Sequence, residues 1–476
     1  MLVKNIDELL SGYEGVEKYL RERAVLIAEH AVDMANPEKL VKSYLYCRNG
    51  TLKVKNCGDF EFSKAYVVAI GKAAYPMAKA VDEIIGDRIA EGIVVTKYGY
   101  SESRRVGIMD VVEAGHPVPD ENSMKAAKKG LEIAEKVGED DILILLVSGG
   151  GSALFVMPER GISLEDKIKT YKLLLKSGAR IQEINTVRKH ISAVKGGKFV
   201  KKVRGKVLSL IISDVVGDNL EAIASGISVK DPTTFEDAVK ILKNYEIWYK
   251  IPESVRTYLE RGLKGEEEES LKVDLENVTN KLICSSSKVC EFAAKKARTL
   301  GFTPVILSSV LEGESKDVGI ALASIAVEIR KNKRPFNPPV ALIAGGETTV
   351  TFNGKKAGKG GPNQELALGF AKKLEESKVD GICIFSLDTD GTDGPTDAAG
   401  GLVSSDTWGR IVRERVDPLK ELMMHNAYTA LKAGNALVIT GPTDTNVNSI
   451  AIIVISRYYD LIMYNLIIDY LFGLLI

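Results

Sequence analysis

The chain has 476 residues with 64 Lys plus Arg set against 64 Asp plus Glu, so its formal charge is zero. That balance gives no field to gather nucleic acid or an anionic membrane, and any anionic ligand must be drawn by a local cluster of charge. A single core stops growing well below this length, which predicts two or three domains, and 45% hydrophobic with 27% charged residues is an ordinary soluble composition. The N-terminal MLVKNIDELL is too polar for a signal peptide. Five scattered cysteines without a C-x-x-C pair read as buried thiols of a reducing compartment, so a cytoplasmic location is expected.

From residue 64 onward, short aliphatic runs alternate with helix-period segments, the pattern of a mainly parallel sheet with helices on both faces, an α/β fold. In chain order the predicted strands are AYVVAI (65–70), GIVVT (92–96), DILILLV (141–147), KVLSLII (206–212), KLICS (281–285), TPVILS (303–308), VALIA (340–344), GICIFS (381–386) and ALVIT (436–440). Near-continuous apolar runs of this kind suit strands covered on both faces. Between them, Ser163 is the expected N-cap of a helix that Gly178 stops. The acidic run at 265–270 and the proline-rich KNKRPFNPP at 331–339 suggest an N-terminal α/β domain over 1–275 and a second over 276–456. The apolar tail, 457–476, is interrupted by Asp460, Asn465 and Asp469, which suits a docked terminal helix better than a membrane span.

Ligands of open α/β sheets bind outside the carboxyl ends of the strands, and here those ends carry glycine, serine, lysine and aspartate. Ser148, Gly149, Gly150, Gly151 and Ser152 follow the third predicted strand. Bare glycine amides at a helix start form a cradle for a phosphate or carboxylate, although a tight strand-to-helix turn also explains them. Lys72 stands at a helix start, where a cation opposes the helix dipole unless an anion binds there. Gly346, Glu347 and Thr348 follow another strand. Asp214 and Asp218, then Asp388, Asp390 and Asp393, follow two more. Hard carboxylate oxygens suit Mg²⁺, while aspartates also fill turns by capping their own backbone. Arg188 and Lys195 lie seven apart, two helical turns, on a face that could clamp a carboxylate; a solvated basic helix fits them as well. His116, in GHPVP, reads as a structural histidine.

Some motifs are missing. There is no G-x-x-x-x-G-K-[ST] phosphate loop, no G-x-G-x-x-G after a strand and no G-x-S-x-G elbow.

Taken in order, VVAIGKAA (67–74), EAGHPVPDENS (113–123), LLVSGGGSALF (145–155), INTVRKHISAVKGGK (184–198), SDVVGDNLEAIASG (213–226), IAGGETTVT (343–351), GKGGPNQELAL (358–368), DTDGTDGPTDAAGG (388–401) and GPTDTNVNSI (441–450) resemble the class II glycerate kinases. In that family a glycerate-kinase domain precedes a MOFRL domain. The resemblance implies two α/β/α domains, the first Rossmann-like, with the active site in the cleft between them. It implies ATP-dependent phosphorylation of D-glycerate to 2-phosphoglycerate with Mg²⁺, with no nucleic acid or membrane partner and a homodimer permitted.

Carried over by position, Lys72 matches the family's active-site lysine, the 148–152 loop its phosphate or substrate loop, and Asp214, Asp388 and Asp393 its catalytic acidic residues. Arg188, Lys195, Gly346, Glu347, Thr348, Asn363 and Gln364 are assigned to substrate and phosphate, and Asp218 and Asp390 to the metal. The chain departs from the family pattern at Pro362, where arginine is the rule and where Lys356 or Lys359 would have to substitute. It also departs at Ser449, where aspartate is expected, and in the tail. Two rival readings are an NAD(P)H-dependent hydroxypyruvate reductase, which the missing dinucleotide motif disfavours, and a non-catalytic ligand-binding or sensor protein, which Pro362 favours.

Overall fold

The computed structural model describes residues 2–352 and 358–457, so Lys356 and the tail from 458 onward lie outside the described residues. The chain divides into two compact units: Pro37–Cys284, and the residues up to 36 together with the described residues from Ser285 on. This differs from the expected 1–275 and 276–456. The reason is Arg21, fully buried on the helix Gly15–Met34. Its guanidinium donates to the carbonyls of Leu9 (2.8 Å) and Leu402 (3.1 Å) and to Ser404 Oγ (3.2 Å). Leu20, Ala24, Ile27, Ala28 and Ala31 bury the same helix at three- and four-residue spacing. The amino-terminal helix therefore packs with the C-terminal half.

In the unit 37–284, an antiparallel meander of β1 (Leu45–Arg48), β2 (Thr51–Val54) and β3 (Gly58–Glu61) precedes a seven-stranded sheet. Its strands are β4 (Ala65–Ile70), β5 (Ile89–Lys97), β6 (Arg105–Val106), β7 (Met109–Ala114), β8 (Ile142–Val147), β9 (Lys206–Ile212) and β10 (Val278–Cys284), in the order β10-β9-β8-β4-β5-β7-β6. Every ladder is parallel except β6 with β7. Each residue of β4 and β8 is buried, as their unbroken apolar sequences require. Phe155 and Phe199 meet edge to face, centroids 5.5 Å apart, in the core under this sheet. The chain runs outward from β4 through β5 to β7, then returns to β8 on the other side of β4. The strand order thus reverses between β4 and β8, the switch point at which such a sheet opens a crevice.

The other unit holds β11 (Thr303–Leu311), β12 (Val340–Gly346), β13 (Ile382–Asp388), β14 (Gly400–Ser404), β15 (Leu437–Val438) and β16 (Ser449–Ile455), ordered β11-β12-β16-β13-β14-β15. Here only β11 with β12 is parallel. The expectation of parallel strands holds for the larger sheet, whereas this one is mixed because β16, missed in the sequence, runs back between β12 and β13. Its register sets Ser449 beside both Gly346 and Asp388, so three strand ends form one row. The expected strand over 436–440 shrinks to two residues.

The helix Leu164–Lys176 begins as expected, with the Asp166 N–H on Ser163 Oγ at 3.0 Å, and Gly178 follows it at φ 77°. Of the cysteines, Cys284, Cys290 and Cys383 are buried; Cys47 and Cys57 are only half-buried, against expectation.

Candidate active site

At the switch point the loops after β4 and β8 are tied together. The Lys72 N–H donates to the Gly149 carbonyl at 2.8 Å, and the Ala73 N–H donates to Ser148 Oγ at 3.0 Å. Gly71 has φ 120°, and a Cβ there would stand 2.2 Å from Ser148 Oγ, so only glycine lets the two loops touch. Gly150, also left-handed at φ 85°, opens the one-turn helix Gly151–Leu154. A Cβ on Gly149 would fall 2.1 Å from Oδ2 of Asp214, the second residue after β9. Lys72, the 148–152 loop and Asp214 are therefore brought together. Lys72 is half-buried and precedes the helix Ala74–Ile85. Asp218 sits in the turn beyond Asp214 at φ 56°, its N–H on the Val215 carbonyl.

His116 follows β7 and joins this group, which the sequence reading did not foresee. Its ring lies 3.0 Å from the place a Gly150 Cβ would take. Burial pulls its pKa down to about 4, and the charges of Lys72 and Lys97 add to the effect, so the imidazole is neutral at neutral pH. The signal that could have found it was β7: MDVVEA has strand character, and recognising it would have put His116 at a strand's carboxyl end.

Beside the loop lies a cavity of about 150 Å³, lined by His116, Gly150 and Ser152 at one side and by Lys167, Tyr171, Val187 and Arg188 further in. Arg188 is held by Asn185 Oδ1 (3.2 Å) and Ser225 Oγ (3.3 Å) and stacks on the Tyr171 ring at 4.5 Å. Ser152 and Ser225 hydroxyls meet at 2.9 Å. Lys195 donates to the Gly151 carbonyl at 3.0 Å, and Lys167 to the carbonyls of Ile191 (2.8 Å) and Arg188 (3.3 Å).

Arg188 and Lys195 do not share a helical face as expected, because the helix Ile181–His190 ends between them; the chain folds back and unites them instead. Burial lowers the pKa of all three cations, and for the two lysines the charge of Arg188 lowers it further. None of the three forms an ion pair among the described residues; Glu159, whose charge reaches Lys167, is held by Lys198 at 2.5 Å. Three basic side chains thus gather without a carboxylate partner among the described residues, an arrangement that can receive an anion. Lys167 had no signal in the sequence beyond one lysine among several on an amphipathic helix.

In the other unit, the residues after β12, β13 and before β16 share one end of the sheet. The Asp390 N–H donates to Asp388 Oδ1 at 3.1 Å and the Thr392 N–H to Asp390 Oδ1 at 2.9 Å, two successive aspartate turns. Asn448 Nδ2 donates to Glu347 Oε2 at 3.1 Å. Gly346 has φ 147°, and Thr348 Oγ1 accepts from Ser315 Oγ at 2.9 Å.

Asp393 is placed differently from its two neighbours. It is 1% exposed, and its carboxylate accepts the backbone N–H groups of Asn363 (3.0 Å) and Gln364 (2.9 Å), capping the helix Pro362–Ser377 from outside. Burial pushes its pKa up to about 6 against those hydrogen bonds. Asn363 and Gln364 return side-chain bonds, to Asp393 Oδ1 (3.2 Å) and Thr396 Oγ1 (2.9 Å), so all three residues hold the scaffold together. Among the described residues, no group of three or more His, Cys, Asp or Glu side chains could hold a metal ion. Of the three aspartates expected to act together, Asp393 is engaged by the helix start, while Asp388 and Asp390 accept N–H groups of their own loop. Pro362 occupies the first helical position, where its missing N–H costs nothing. Lys359 pairs with Asp397 at 3.3 Å and lies 3.6 Å over the Tyr428 ring. Ser449 Oγ accepts from Asn363 Nδ2 at 2.8 Å.

Two family models match the chain: Domain of unknown function (DUF4147) over residues 23–260 and the MOFRL family over 340–449. A protein of Pyrococcus horikoshii named glycerate 2-kinase is 53% identical over 439 residues, covering 92% of this chain and 98% of the relative. A protein of Agrobacterium vitis named putative hydroxypyruvate reductase is 42% identical, covering 84% of this chain and 90% of the relative. The crystal structure of a glycerate kinase from Thermotoga maritima superimposes with a TM-score of 0.84 at 43% identity, covering 92% of this chain and all of that one. No helix among the described residues is long and apolar enough to cross a membrane.

Proposed function

The chain belongs to the glycerate kinase family that joins a DUF4147 region to a MOFRL region, and from that membership we propose that it transfers the γ-phosphoryl group of ATP to the 2-hydroxyl of D-glycerate. The observation that carries this reading is the joined site at the switch point, where Lys72, the 148–152 glycine loop and Asp214 meet beside the cavity that Lys167 and Arg188 line. Its chemistry suits phosphoryl transfer, which asks the protein for position and charge more than for covalent participation.

In this reading Arg188, supported by Lys167 and Lys195, takes the substrate carboxylate. The amides of Gly149 to Gly151 and the Lys72 ammonium take phosphate oxygens and the charge that grows on them. Asp214 accepts the hydroxyl proton as the oxygen attacks phosphorus and the bond to the ADP oxygen breaks. The neutral ring of His116 excludes water from the loop without adding charge.

Mg²⁺ commonly binds one or two carboxylates and completes its shell with phosphate oxygens and water, a requirement the adjacent Asp388 and Asp390 fit. Those two would hold the ion; Asp218 is a separate candidate for a metal contact. When bound it would neutralise phosphate charge. Glu347 and Thr348 remain candidates for contacts to ATP.

The test is release of ADP from ATP in the presence of D-glycerate, with NMR identification of the phosphorylated carbon. A reductase reading, which the Agrobacterium vitis name suggests, predicts instead loss of NADH absorbance with hydroxypyruvate. No G-x-G-x-x-G motif follows a strand to receive such a cofactor.

A further inference from the structure

The cavity beside Ser152 is more apolar than its assigned substrate needs. D-glycerate carries an oxygen on every carbon, and each must find a polar partner when it is taken from water. Beside the polar Lys167, Thr170 and Tyr171, however, Arg188 shares the cavity with Ile168, Leu174, Ile184, Val187 and Ile191, none of which offers one. The cavity, about 150 Å³, is about ten times the 10–15 Å³ that admits a single water, so it has room beyond a carboxylate.

Two independent features thus share one space. One is a fixed guanidinium, held by Asn185, Ser225 and Tyr171 and lacking a carboxylate partner among the described residues. The other is an aliphatic wall contributed by the helices Leu164–Lys176 and Ile181–His190 together with Ile191. A polar pocket for glycerate alone would require the first and gain nothing from the second.

We propose that this cavity binds 2-hydroxy carboxylates bearing an apolar substituent on C3, with the carboxylate on Arg188 and the substituent against Ile168, Leu174 and Val187. The proposal rests on the reading that Arg188 receives the glycerate carboxylate, and it makes such acids competitors of glycerate for one site. Each buried methylene adds a favourable transfer contribution that glycerate cannot make.

The test uses 2-hydroxy-4-methylpentanoate as probe and the full chain, by calorimetry without ATP. The expected result is binding roughly tenfold tighter than that of D-glycerate, abolished for both acids in Arg188→Gln. Ile168→Asn, at a half-buried position, should weaken the probe roughly tenfold and leave D-glycerate affinity within about twofold. Absence of binding to the wild type overturns the proposal, as does probe affinity that Ile168→Asn leaves unchanged. Failure of the kinase reading is told apart because it shows as absent ADP release with D-glycerate, whereas the calorimetry needs no turnover.

Discussion

Gly149 and Asp214 meet so closely that a methyl group on the glycine would stand 2.1 Å from a carboxylate oxygen. The contact joins the loop after β8 to the loop after β9 and fixes where the carboxylate can lie. Gly149→Ala should push Asp214 aside by about an ångström, a displacement that costs turnover on the order of 100-fold. Circular dichroism and thermal melting should show the fold retained. Normal kcat in a folded Gly149→Ala protein would remove Asp214 from the chemistry.

Lys72 is half-buried, and its backbone N–H, which alanine keeps, ties the loop after β4 to the Gly149 carbonyl. Lys72→Ala should therefore lower kcat by a factor of hundreds, the size of losing one preorganised charge contact, with little change in Tm. Steady-state kinetics beside a melting curve separate the two effects.

Arg188 predicts the opposite split. On the proposed reading it binds the ground-state carboxylate, so Arg188→Gln should raise KM for D-glycerate by about 10- to 100-fold, in line with loss of a charged hydrogen bond. The kcat reached at saturation should change less. A pure kcat effect would contradict its placement on the carboxylate.

Asp393 distinguishes scaffold from chemistry. Asp393→Ala leaves the first N–H groups of the helix Pro362–Ser377 without acceptors, which should destabilise the protein by about 1–3 kcal/mol in denaturant titration. Turnover per folded molecule should stay within severalfold of wild type. Asp388→Asn, in contrast, should raise the Mg²⁺ concentration needed for half-maximal rate.

The pH dependence of stability follows from His116. Its pKa falls from an ordinary 6.5 to about 4 on folding, so between those values the unfolded chain binds a proton that the folded chain does not. This contribution makes stability decline as pH drops from 6.5 toward 4, and it is absent above 6.5. His116→Gln should flatten that part of a Tm-against-pH curve. An unchanged slope would mean that the ring is not held neutral.

The parts of this site that the sequence made legible are those where local chemistry leaves one solution. Unbroken apolar runs could only be strands covered on both faces, so β4, β8 and β9 and the glycine, lysine and aspartate at their ends were readable. β16 was missed although IAIIVI is as unbroken an apolar run as β4, whereas GGLVS of β14 begins with two glycines that weaken any strand signal. The packing of the first helix with the C-terminal half was not legible, because a buried guanidinium contacting residues more than 380 positions away leaves no local trace. Asp393 resembled its neighbours Asp388 and Asp390 in spacing, and only tertiary structure turns it toward the helix. Lys195 and Arg188 were paired correctly on a wrong premise: the helix ends at His190, and the turn after it does the joining.

The central claim is that a glycine loop, a lysine and carboxylates on this chain serve phosphoryl transfer to a hydroxy acid. The most direct measurement mixes the purified chain with ATP, Mg²⁺ and D-glycerate and follows ADP release, with the phosphorylated carbon assigned by NMR. The account predicts one ADP for each 2-phosphoglycerate formed and a rate lowered by hundreds in Lys72→Ala. Phosphate on the 3-hydroxyl, or NADH consumption with hydroxypyruvate and no ADP, would contradict it.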